Sequence, residues 1–137
     1  MSGVSKILIV DDDKFLLDMY SLKFSERGFE VATALSADEA LAQFDAGFQP
    51  AIFLVDLIMP KMDGFQLVEK LRERGANKGA AIIILSNLGQ KEDIEKALGL
   101  GVDGYIVKAS ATPSEVVNKV SDIAAHRKFP AGSGMKQ

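Results

Sequence analysis

The sequence contains no cysteine and a single histidine, His126, among its 137 residues. The absence of cysteine excludes disulfide bonds, thiolate zinc sites and cysteine nucleophiles. One histidine near the C-terminus cannot form a histidine-rich metal site either. Any metal ion that this chain binds must therefore be held by oxygen ligands.

Long hydrophobic runs and an excess of basic charge are also missing. The longest apolar segments have the length of strands and fall far short of the roughly 20 residues that cross a bilayer. The N-terminus lacks the charged start, apolar stretch and cleavage site of a secretory signal. The formal net charge is −3, whereas nucleic-acid binding usually shows as a basic domain or stripe. We therefore expect a cytoplasmic protein with no membrane span and no direct binding to nucleic acid.

The remaining composition has the size and balance of one folded domain. A chain of 137 residues, 47% hydrophobic and 26% charged, is long enough to enclose an apolar core. We expect this domain to cover residues 1–126. Residues 127–137 include Gly132-Ser133-Gly134 and are expected to form a flexible tail, with no output domain attached.

Five short apolar runs alternate with five amphipathic segments along the chain. The runs fall at residues 6–10, 29–34, 51–55, 80–85 and 104–107. This alternation predicts an α/β fold, in which a doubly wound parallel sheet is the middle of three layers. Three runs are continuously apolar, as expected of central strands that helices cover on both faces, whereas the mixed run 29–34 fits an edge.

The predicted helices have local start and stop signals. Thr112-Pro113-Ser114-Glu115 combines an N-cap, a first-turn proline and a capping box, and Ser36 with Glu39 matches a second box. The other helices are expected from Asp12 or Asp13 to Gly28, over residues 63–74 and over residues 91–98.

Polar residues directly follow four of the five apolar runs. In an open α/β sheet, ligands bind in the crevice beyond the carboxyl ends of the strands. We therefore expect one compact site there. It would contain Asp11-Asp12-Asp13 after the first run, Asp56 after the third, Ser86-Asn87 after the fourth and Lys108 after the fifth.

The carboxylates at these strand ends would repel one another, and close like charges require either proton uptake or a counterion. Mg²⁺ prefers oxygen ligands and is typically held by one or two carboxylates together with phosphate oxygens. With the charge neutralised, one carboxylate can attack phosphorus and form an acyl phosphate, while Lys108 and Ser86 contact the phosphoryl oxygens. The pattern predicts a site for Mg²⁺, with Mn²⁺ as a substitute, and for a phosphoryl group.

These segments resemble the receiver domain of two-component response regulators, of the single-domain, chemotaxis-Y-like type. The resemblance rests on residues 9–13, residues 55–64, Ser86 and residues 105–108, and it spans residues 6 to about 125. It implies a flavodoxin-like (βα)5 sandwich with the strand order 2-1-3-4-5.

The resemblance also implies a role for each residue of the acidic site. Asp56 would be the phosphoacceptor. Asp12 and Asp56 would ligate Mg²⁺ directly, Asp11 would act on the metal mainly through water, and the backbone carbonyl of Ile58 would be a further ligand. Lys108 would pair with the phosphoryl group.

Ser86 and Tyr105 match the switch positions of that family. There the hydroxyl moves to the phosphate and the aromatic side chain turns inward, which remodels the surface of the fifth strand and its two flanking helices. The implied partners are a histidine kinase or histidine phosphotransfer protein as donor, and a downstream protein as target. The chain would not be a turnover enzyme, because it would catalyse only its own phosphorylation and dephosphorylation.

Three positions beside the site depart from the family pattern or vary within it. Ala109 follows Lys108, where receivers usually have proline in a cis peptide. Since a cis bond without proline costs about 3 kcal/mol, we expect a trans peptide here.

Ile58 and Leu88 flank the phosphoryl site, and neither side chain can hydrogen-bond an attacking water. We therefore expect slow dephosphorylation.

Three alternative functions stay open on the sequence alone. Asp11-Asp12-Asp13 also resembles the signature of haloacid-dehalogenase-like phosphatases, with Asp11 as nucleophile, although Phe15 stands where that family expects threonine or valine. A flavodoxin-like fold can bind FMN at the same crevice, but three acids would repel its phosphate. The third alternative is an interaction module that is never phosphorylated, against which the complete site argues.

Overall fold

The computed structural model describes residues 5–127. Five strands form one all-parallel sheet in the order β2-β1-β3-β4-β5. The strands are β1 (Lys6–Val10), β2 (Glu30–Ala34), β3 (Ile52–Val55), β4 (Ala81–Ser86) and β5 (Gly104–Val107). The predicted fold class and strand order are therefore confirmed, and every predicted strand boundary lies within one residue of the observed boundary.

Within residues 5–127, six α-helices and one short 3₁₀ helix flank the sheet. The helices are α1 (Lys14–Glu26), α2 (Ala37–Asp45), α3 (Gly64–Glu73), α4 (Ala76–Gly79), α5 (Lys91–Gly99) and α6 (Pro113–His126), and the 3₁₀ helix is Lys108–Ser110. Five α-helices match predicted ones, but the sequence analysis missed α4. A single helical turn is too short to show a periodic apolar pattern.

The capping boxes differ in how completely they form. Thr112 and Glu115 bond each other's backbone N–H groups, as predicted. Ser36 accepts from the Glu39 N–H at 3.1 Å, but the Glu39 carboxylate bonds the N–H of Leu35 rather than that of Ser36. The box predicted at Ser36 is thus only half formed, because the Glu39 carboxylate reaches one residue further back.

The sheet divides the apolar core into two clusters, one on each face. Helices α1 and α6 cover the first cluster, which includes Ile9, Leu54 and Ile106. Helices α2 to α5 cover the second, which includes Val10 and Val55. Because successive side chains of a strand point to opposite faces, the continuously apolar runs supply both clusters, as expected of central strands.

The expected C-terminal tail begins at Arg127, which follows the last residue of α6. Its Nε donates to Oδ1 of Asp103 at 3.2 Å, and its guanidinium also donates to the carbonyl of Asn77. The rest of the expected tail, residues 128–137, lies outside the described residues. None of the helices within residues 5–127 has the length and apolar character needed to cross a bilayer.

Gly64 opens α3 and lies against the loop that follows β3. A Cβ atom added there would lie 2.4 Å from the carbonyl oxygen of Asp56 and 2.7 Å from the Cα atom of Leu57. Both neighbours are backbone atoms, so they cannot move aside as a flexible side chain would. The absence of a side chain at Gly64 therefore allows α3 to pack against the end of β3.

Gly64→Ala is expected to lower the free energy of unfolding by about 1–3 kcal/mol, because overpacking displaces backbone. Urea unfolding measures this loss. Gly79→Ala in α4 is the matched control, since an added Cβ there meets no atom within 4 Å. The control should be neutral or slightly stabilising. Equal effects of the two substitutions would contradict the packing argument.

Candidate functional site

The register of the sheet brings the two buried aspartates side by side. Val10 pairs with Val55 across β1 and β3, so Asp11 and Asp56 follow at adjacent strand ends. The backbone N–H of Asp56 donates to the carbonyl of Val10 at 3.0 Å, which continues the ladder one step past the strands. Parallel pairing, rather than sequence proximity, therefore places these carboxylates together.

Lys108 links the two buried carboxylates. Its Nζ lies 2.7 Å from Oδ2 of Asp11 and 3.4 Å from Oδ2 of Asp56. The side chains of Lys108, Asp11 and Asp56 are only 10%, 4% and 8% exposed. Buried charges are costly unless hydrogen bonds satisfy them, and here one ammonium serves two carboxylates. The predicted convergence of these three residues is observed.

Backbone N–H groups hold the remaining carboxylate oxygens in place. Oδ1 of Asp11 accepts from the N–H of Asp13 at 2.9 Å. Oδ1 of Asp56 accepts from the N–H of Ile58 at 3.3 Å. Each buried aspartate is therefore oriented by the loop that follows it as well as by Lys108.

The charge of Asp56 is only partly compensated. Burial raises the pKa of the Asp56 carboxyl, and the nearby Asp11 carboxylate raises it further. Lys108, the Ser86 hydroxyl and the Ile58 N–H oppose that rise without overcoming it. The ammonium lies closer to Asp11, so Asp56 remains a buried anion that would gain from an added cation.

Burial works to lower the pKa of Lys108, but the two carboxylates outweigh it and raise that pKa overall. Lys108 is therefore a cation throughout the neutral pH range. Its ammonium group is stabilised by the carboxylates of Asp11 and Asp56 rather than by hydration.

Asp12 completes an oxygen cluster with the two buried aspartates. One carboxylate oxygen from each of Asp11, Asp12 and Asp56 lies within 4.8 Å of the others. Asp12 is exposed to solvent, whereas the other two are buried. An all-oxygen donor set that is open on one side suits Mg²⁺, which retains several waters when bound. The residues predicted from the strand ends therefore form a donor set that fits the ion.

Ser86 and Tyr105 both contact the backbone of Leu88. The fully buried hydroxyl of Ser86 accepts from the Leu88 N–H at 3.4 Å. The hydroxyl of Tyr105 donates to the Leu88 carbonyl. The two predicted switch residues are thus connected through one peptide segment of the β4–α5 loop. The sequence analysis missed this link, because backbone groups leave no residue-type signal.

The peptide bond between Lys108 and Ala109 is trans, as expected from the missing proline, and no cis peptide occurs in the described part of the chain. Residues Lys108–Ser110 instead form the short 3₁₀ helix that leads into α6.

A model of the response regulator receiver domain matches residues 7–121 of this chain. With the fold and the acidic site described above, this match shows that the chain belongs to the response regulator receiver domain family.

Particular relatives agree with this assignment. The chain is 31% identical over 118 residues to the chemotaxis protein CheY of Halobacterium salinarum, covering 86% of this chain and 95% of the relative. It is 39% identical over 106 residues to CheY of Treponema pallidum, covering 75% and 72%. Among solved structures, chemotaxis protein CheY4 of Vibrio cholerae superposes with a TM-score of 0.82 at 27% identity, covering 88% of this chain and 99% of that one.

Asp56→Asn is expected to raise the free energy of unfolding near neutral pH, because it removes an incompletely compensated buried charge. The pKa of Asp56 is higher in the folded protein than its ordinary value of 3.8. The folded state therefore binds this proton more tightly, and the contribution of Asp56 to stability falls as pH rises from 3.8 through the folded pKa. The gain from Asp56→Asn should consequently shrink as pH is lowered toward 3.8.

Urea unfolding in the presence of a chelator, at neutral and at acid pH, measures this effect. Asp45→Asn is an opposite-sign control, since a side-chain hydrogen bond from Arg74 lowers the pKa of exposed Asp45. That control should not stabilise the protein at neutral pH. A gain at Asp56 that is independent of pH would contradict the charge argument.

Proposed function

We propose that this protein is a phosphoacceptor of a two-component phosphorelay, in which Asp56 receives a phosphoryl group in the presence of Mg²⁺. The main support is the position of Asp56, a buried and incompletely compensated carboxylate beside Lys108 and within an oxygen cluster that suits a divalent cation. The donor would be a phosphohistidine of a histidine kinase or of a histidine phosphotransfer protein. We expect the protein to act in the cytoplasm and not as a turnover enzyme.

Asp11, Asp12, Asp56 and the backbone carbonyl of Ile58 would hold the metal ion. When bound, Mg²⁺ supplies positive charge that neutralises the acids and the phosphoryl oxygens. The chain itself lacks this charge, because Lys108 is the one cation within salt-bridge distance of Asp11 and Asp56 among the described residues. The metal requirement thus follows from the imbalance between carboxylates and ammonium.

The transfer step forms one bond and breaks another. A carboxylate oxygen of Asp56 attacks phosphorus, and the P–N bond of the donor phosphohistidine breaks. The electron pair of that bond returns to the imidazole nitrogen, which takes up a proton from solvent. Lys108 would then donate to a phosphoryl oxygen of the acyl phosphate, since its Nζ already lies 3.4 Å from Oδ2 of Asp56.

The switch would run from the phosphoryl group through the β4–α5 loop. Ser86 would turn its hydroxyl toward the new oxygens and weaken its contact with the Leu88 N–H. The Leu88 carbonyl accepts a hydrogen bond from the Tyr105 hydroxyl, so movement of the loop would release or redirect the Tyr105 ring. Helix α5 is suited to follow, because Ala97 is its one fully buried residue and little packing holds it. A downstream protein would recognise the altered surface of α5, β5 and α6.

A phosphatase with Asp11 as nucleophile has less support from the geometry. The hydrogen bonds to the two oxygens of Asp11, 2.7 Å from Lys108 and 2.9 Å from the N–H of Asp13, are shorter than the 3.4 Å and 3.3 Å bonds to Asp56, so Asp11 is the less available carboxylate. Asp13, which would be the acid-base residue, caps α1 by accepting from the N–H of Leu16. The position of Asp56 would also have no explanation.

Incubation with radiolabelled phosphoramidate and Mg²⁺ tests the proposal, because this donor contains the same P–N bond as phosphohistidine. We expect an alkali-labile, hydroxylamine-sensitive label on the wild-type protein. Asp56→Asn should abolish it. Asp12→Asn should raise the Mg²⁺ concentration required for half-maximal labelling by roughly tenfold or more. Even substitution of residues that only support metal ligands weakens metal binding by about that factor.

Asp13→Asn is the matched control for Asp12→Asn. Asp13 is a neighbouring exposed acid outside the cluster, and asparagine caps a helix as well as aspartate does. The control should be labelled like the wild type. Label that maps to Asp11 would favour the phosphatase, and an unlabelled wild-type protein would contradict the phosphoacceptor function.

The acyl phosphate is expected to persist, because the side chains beside it cannot orient water. Ile58 is 55% exposed next to the site, and Leu88 is half-buried. Ile58→Asn should accelerate loss of the label several-fold by adding hydrogen-bonding groups. Leu22→Asn makes the same change at a similarly exposed position, 60%, and should leave the lifetime unaltered. Loss of label from the wild type within seconds would show that this expectation is wrong.

A further inference from the structure

Helix α5 is held differently at its two ends. At its N-terminus, the Gln90 side chain caps none of the helix N–H groups in the described part of the chain. The loop before it carries the backbone groups of Leu88 that contact Ser86 and Tyr105. Ala97, a fully buried residue of the helix, lies in its last turn. The N-terminal turn is therefore the end that can follow a movement of the β4–α5 loop.

The C-terminus of α5 is closed by backbone hydrogen bonds. Gly101, which has a left-handed conformation with a φ of 87°, donates its N–H to the carbonyl of Leu98 at 3.0 Å. The N–H of Val102 donates to the carbonyl of Ala97 at 3.5 Å. These two bonds form the Schellman motif, in which the residues after a helix satisfy its last carbonyls. Val102 and Ala97 also pack in the same apolar cluster, so this end of α5 is joined to the core.

The next residue, Asp103, fixes this turn to the sheet. Its backbone N–H donates to the carbonyl of Ile82 at 2.7 Å, and its Oδ2 accepts from the N–H of Ile82 at 2.8 Å. Ile82 is a fully buried residue of β4. The C-terminal end of α5 therefore cannot shift far without breaking hydrogen bonds to the sheet.

Helix α3 adds two side-chain contacts to the C-terminal half of α5. Nη1 of Arg72 donates to the carbonyl of Leu100, and a Cβ atom added at Gly101 would overlap the Arg72 guanidinium. Nζ of Lys96 lies 4.2 Å from the centre of the Phe65 ring, within the range of a cation–π interaction. Phe65 and Arg72 are seven residues, or about two turns, apart, so both contacts come from one face of α3.

We propose that α5 pivots about its C-terminal end, where Arg72 and the turn at Gly101 and Val102 anchor it, while its N-terminal turn moves with the β4–α5 loop. The movement rests on the proposed function, because phosphorylation of Asp56 would drive it. The anchoring contacts belong to the unphosphorylated protein. A downstream partner would then recognise a change in the tilt of α5 rather than a displacement of the whole helix.

Amide hydrogen exchange tests the anchor in the protein without ligand. Arg72→Met removes the donor to the Leu100 carbonyl and keeps a side chain of similar length. It should speed exchange of the Gly101 and Val102 amides roughly two- to tenfold, the effect expected for one lost hydrogen bond. The amide of Ile94, which bonds the Gln90 carbonyl at the other end of the helix, should exchange as in the wild type.

Arg74→Met is the matched control for that exchange experiment. It removes a neighbouring arginine of α3, whose Nε pairs with Oδ1 of Asp45 on α2 at 2.8 Å. Exchange at Gly101 and Val102 should not change in this variant. Equal acceleration in the two variants, or none in Arg72→Met, would overturn the anchoring role of Arg72.

Spin labels test the pivot, since a chain without cysteine can be labelled at chosen positions. Ser25→Cys, at an exposed position of α1 across the sheet, provides the reference label. Glu92→Cys reports the first turn of α5 and Leu98→Cys the last turn, and both positions are exposed. In pulsed electron paramagnetic resonance, the unliganded protein should show a broader distance distribution to residue 92 than to residue 98.

Beryllofluoride with Mg²⁺, a mimic of the phosphoryl group, should change the distance to residue 92 and leave the distance to residue 98 nearly constant. In an Arg72→Met background, the distance to residue 98 should change as well, whereas Arg74→Met should behave like the wild type. Equal changes at residues 92 and 98 in the protein with an intact Arg72 would show that α5 moves as one body, and the pivot would be overturned.

Binding itself, followed by the fluorine resonance of bound beryllofluoride, separates this inference from the proposed function. The wild type should bind only with Mg²⁺, and Asp56→Asn should not bind. If the wild type does not bind, the phosphoacceptor function fails, while the exchange rates and the unliganded distance distributions still decide whether α5 is anchored at one end. If the wild type binds and neither distance changes, the pivot alone is overturned.

Discussion

One ammonium group shared by two buried carboxylates is the interaction on which the rest of the site depends. Lys108 lies closer to Asp11 than to Asp56, so the two acids are neutralised unequally. Burial makes this imbalance costly, because water cannot screen the remaining charge. The same imbalance makes Asp56 the carboxylate that would gain most from an added cation, and it is the basis of the phosphoacceptor role proposed for Asp56. If side chains of the protein fully neutralised the two acids, the site would gain less from binding a cation.

The residues of the candidate site lie on both faces of the sheet. Strand alternation places Asp11, Asp56 and Lys108 on the face that α1 and α6 cover. Tyr105 packs on the other face, and its hydroxyl joins the backbone of Leu88, which also contacts Ser86. The acidic residues and the Tyr105 side chain therefore lie on opposite sides of the sheet. The short β4–α5 loop is the element that connects them.

Gly64 shows how closely the start of α3 packs against the loop that follows β3. Its missing side chain lets the start of α3 approach the backbone of Asp56 and Leu57. The capping box of α3, formed by Asp63 and Gln66, holds that approach in place. The backbone of Asp56 is thus held between β3 on one side and the start of α3 on the other.

The sequence by itself determined the strands, most helix starts and the residues of the acidic site. The spacing of apolar residues and the cap residues are local signals that can be read along the sequence. Asp11, Asp12, Asp56 and Lys108 stand at the ends of apolar runs, where ligands bind in an open α/β sheet. Only the tertiary structure decided the unequal sharing of Lys108, the bond from Glu39 to Leu35, the single-turn helix α4 and the link through Leu88. The sharing of Lys108 depends on distances between segments far apart in the chain. The bonds to Leu35 and Leu88 involve backbone groups, which all residues share and no sequence pattern distinguishes, and α4 is too short to show a periodic apolar pattern.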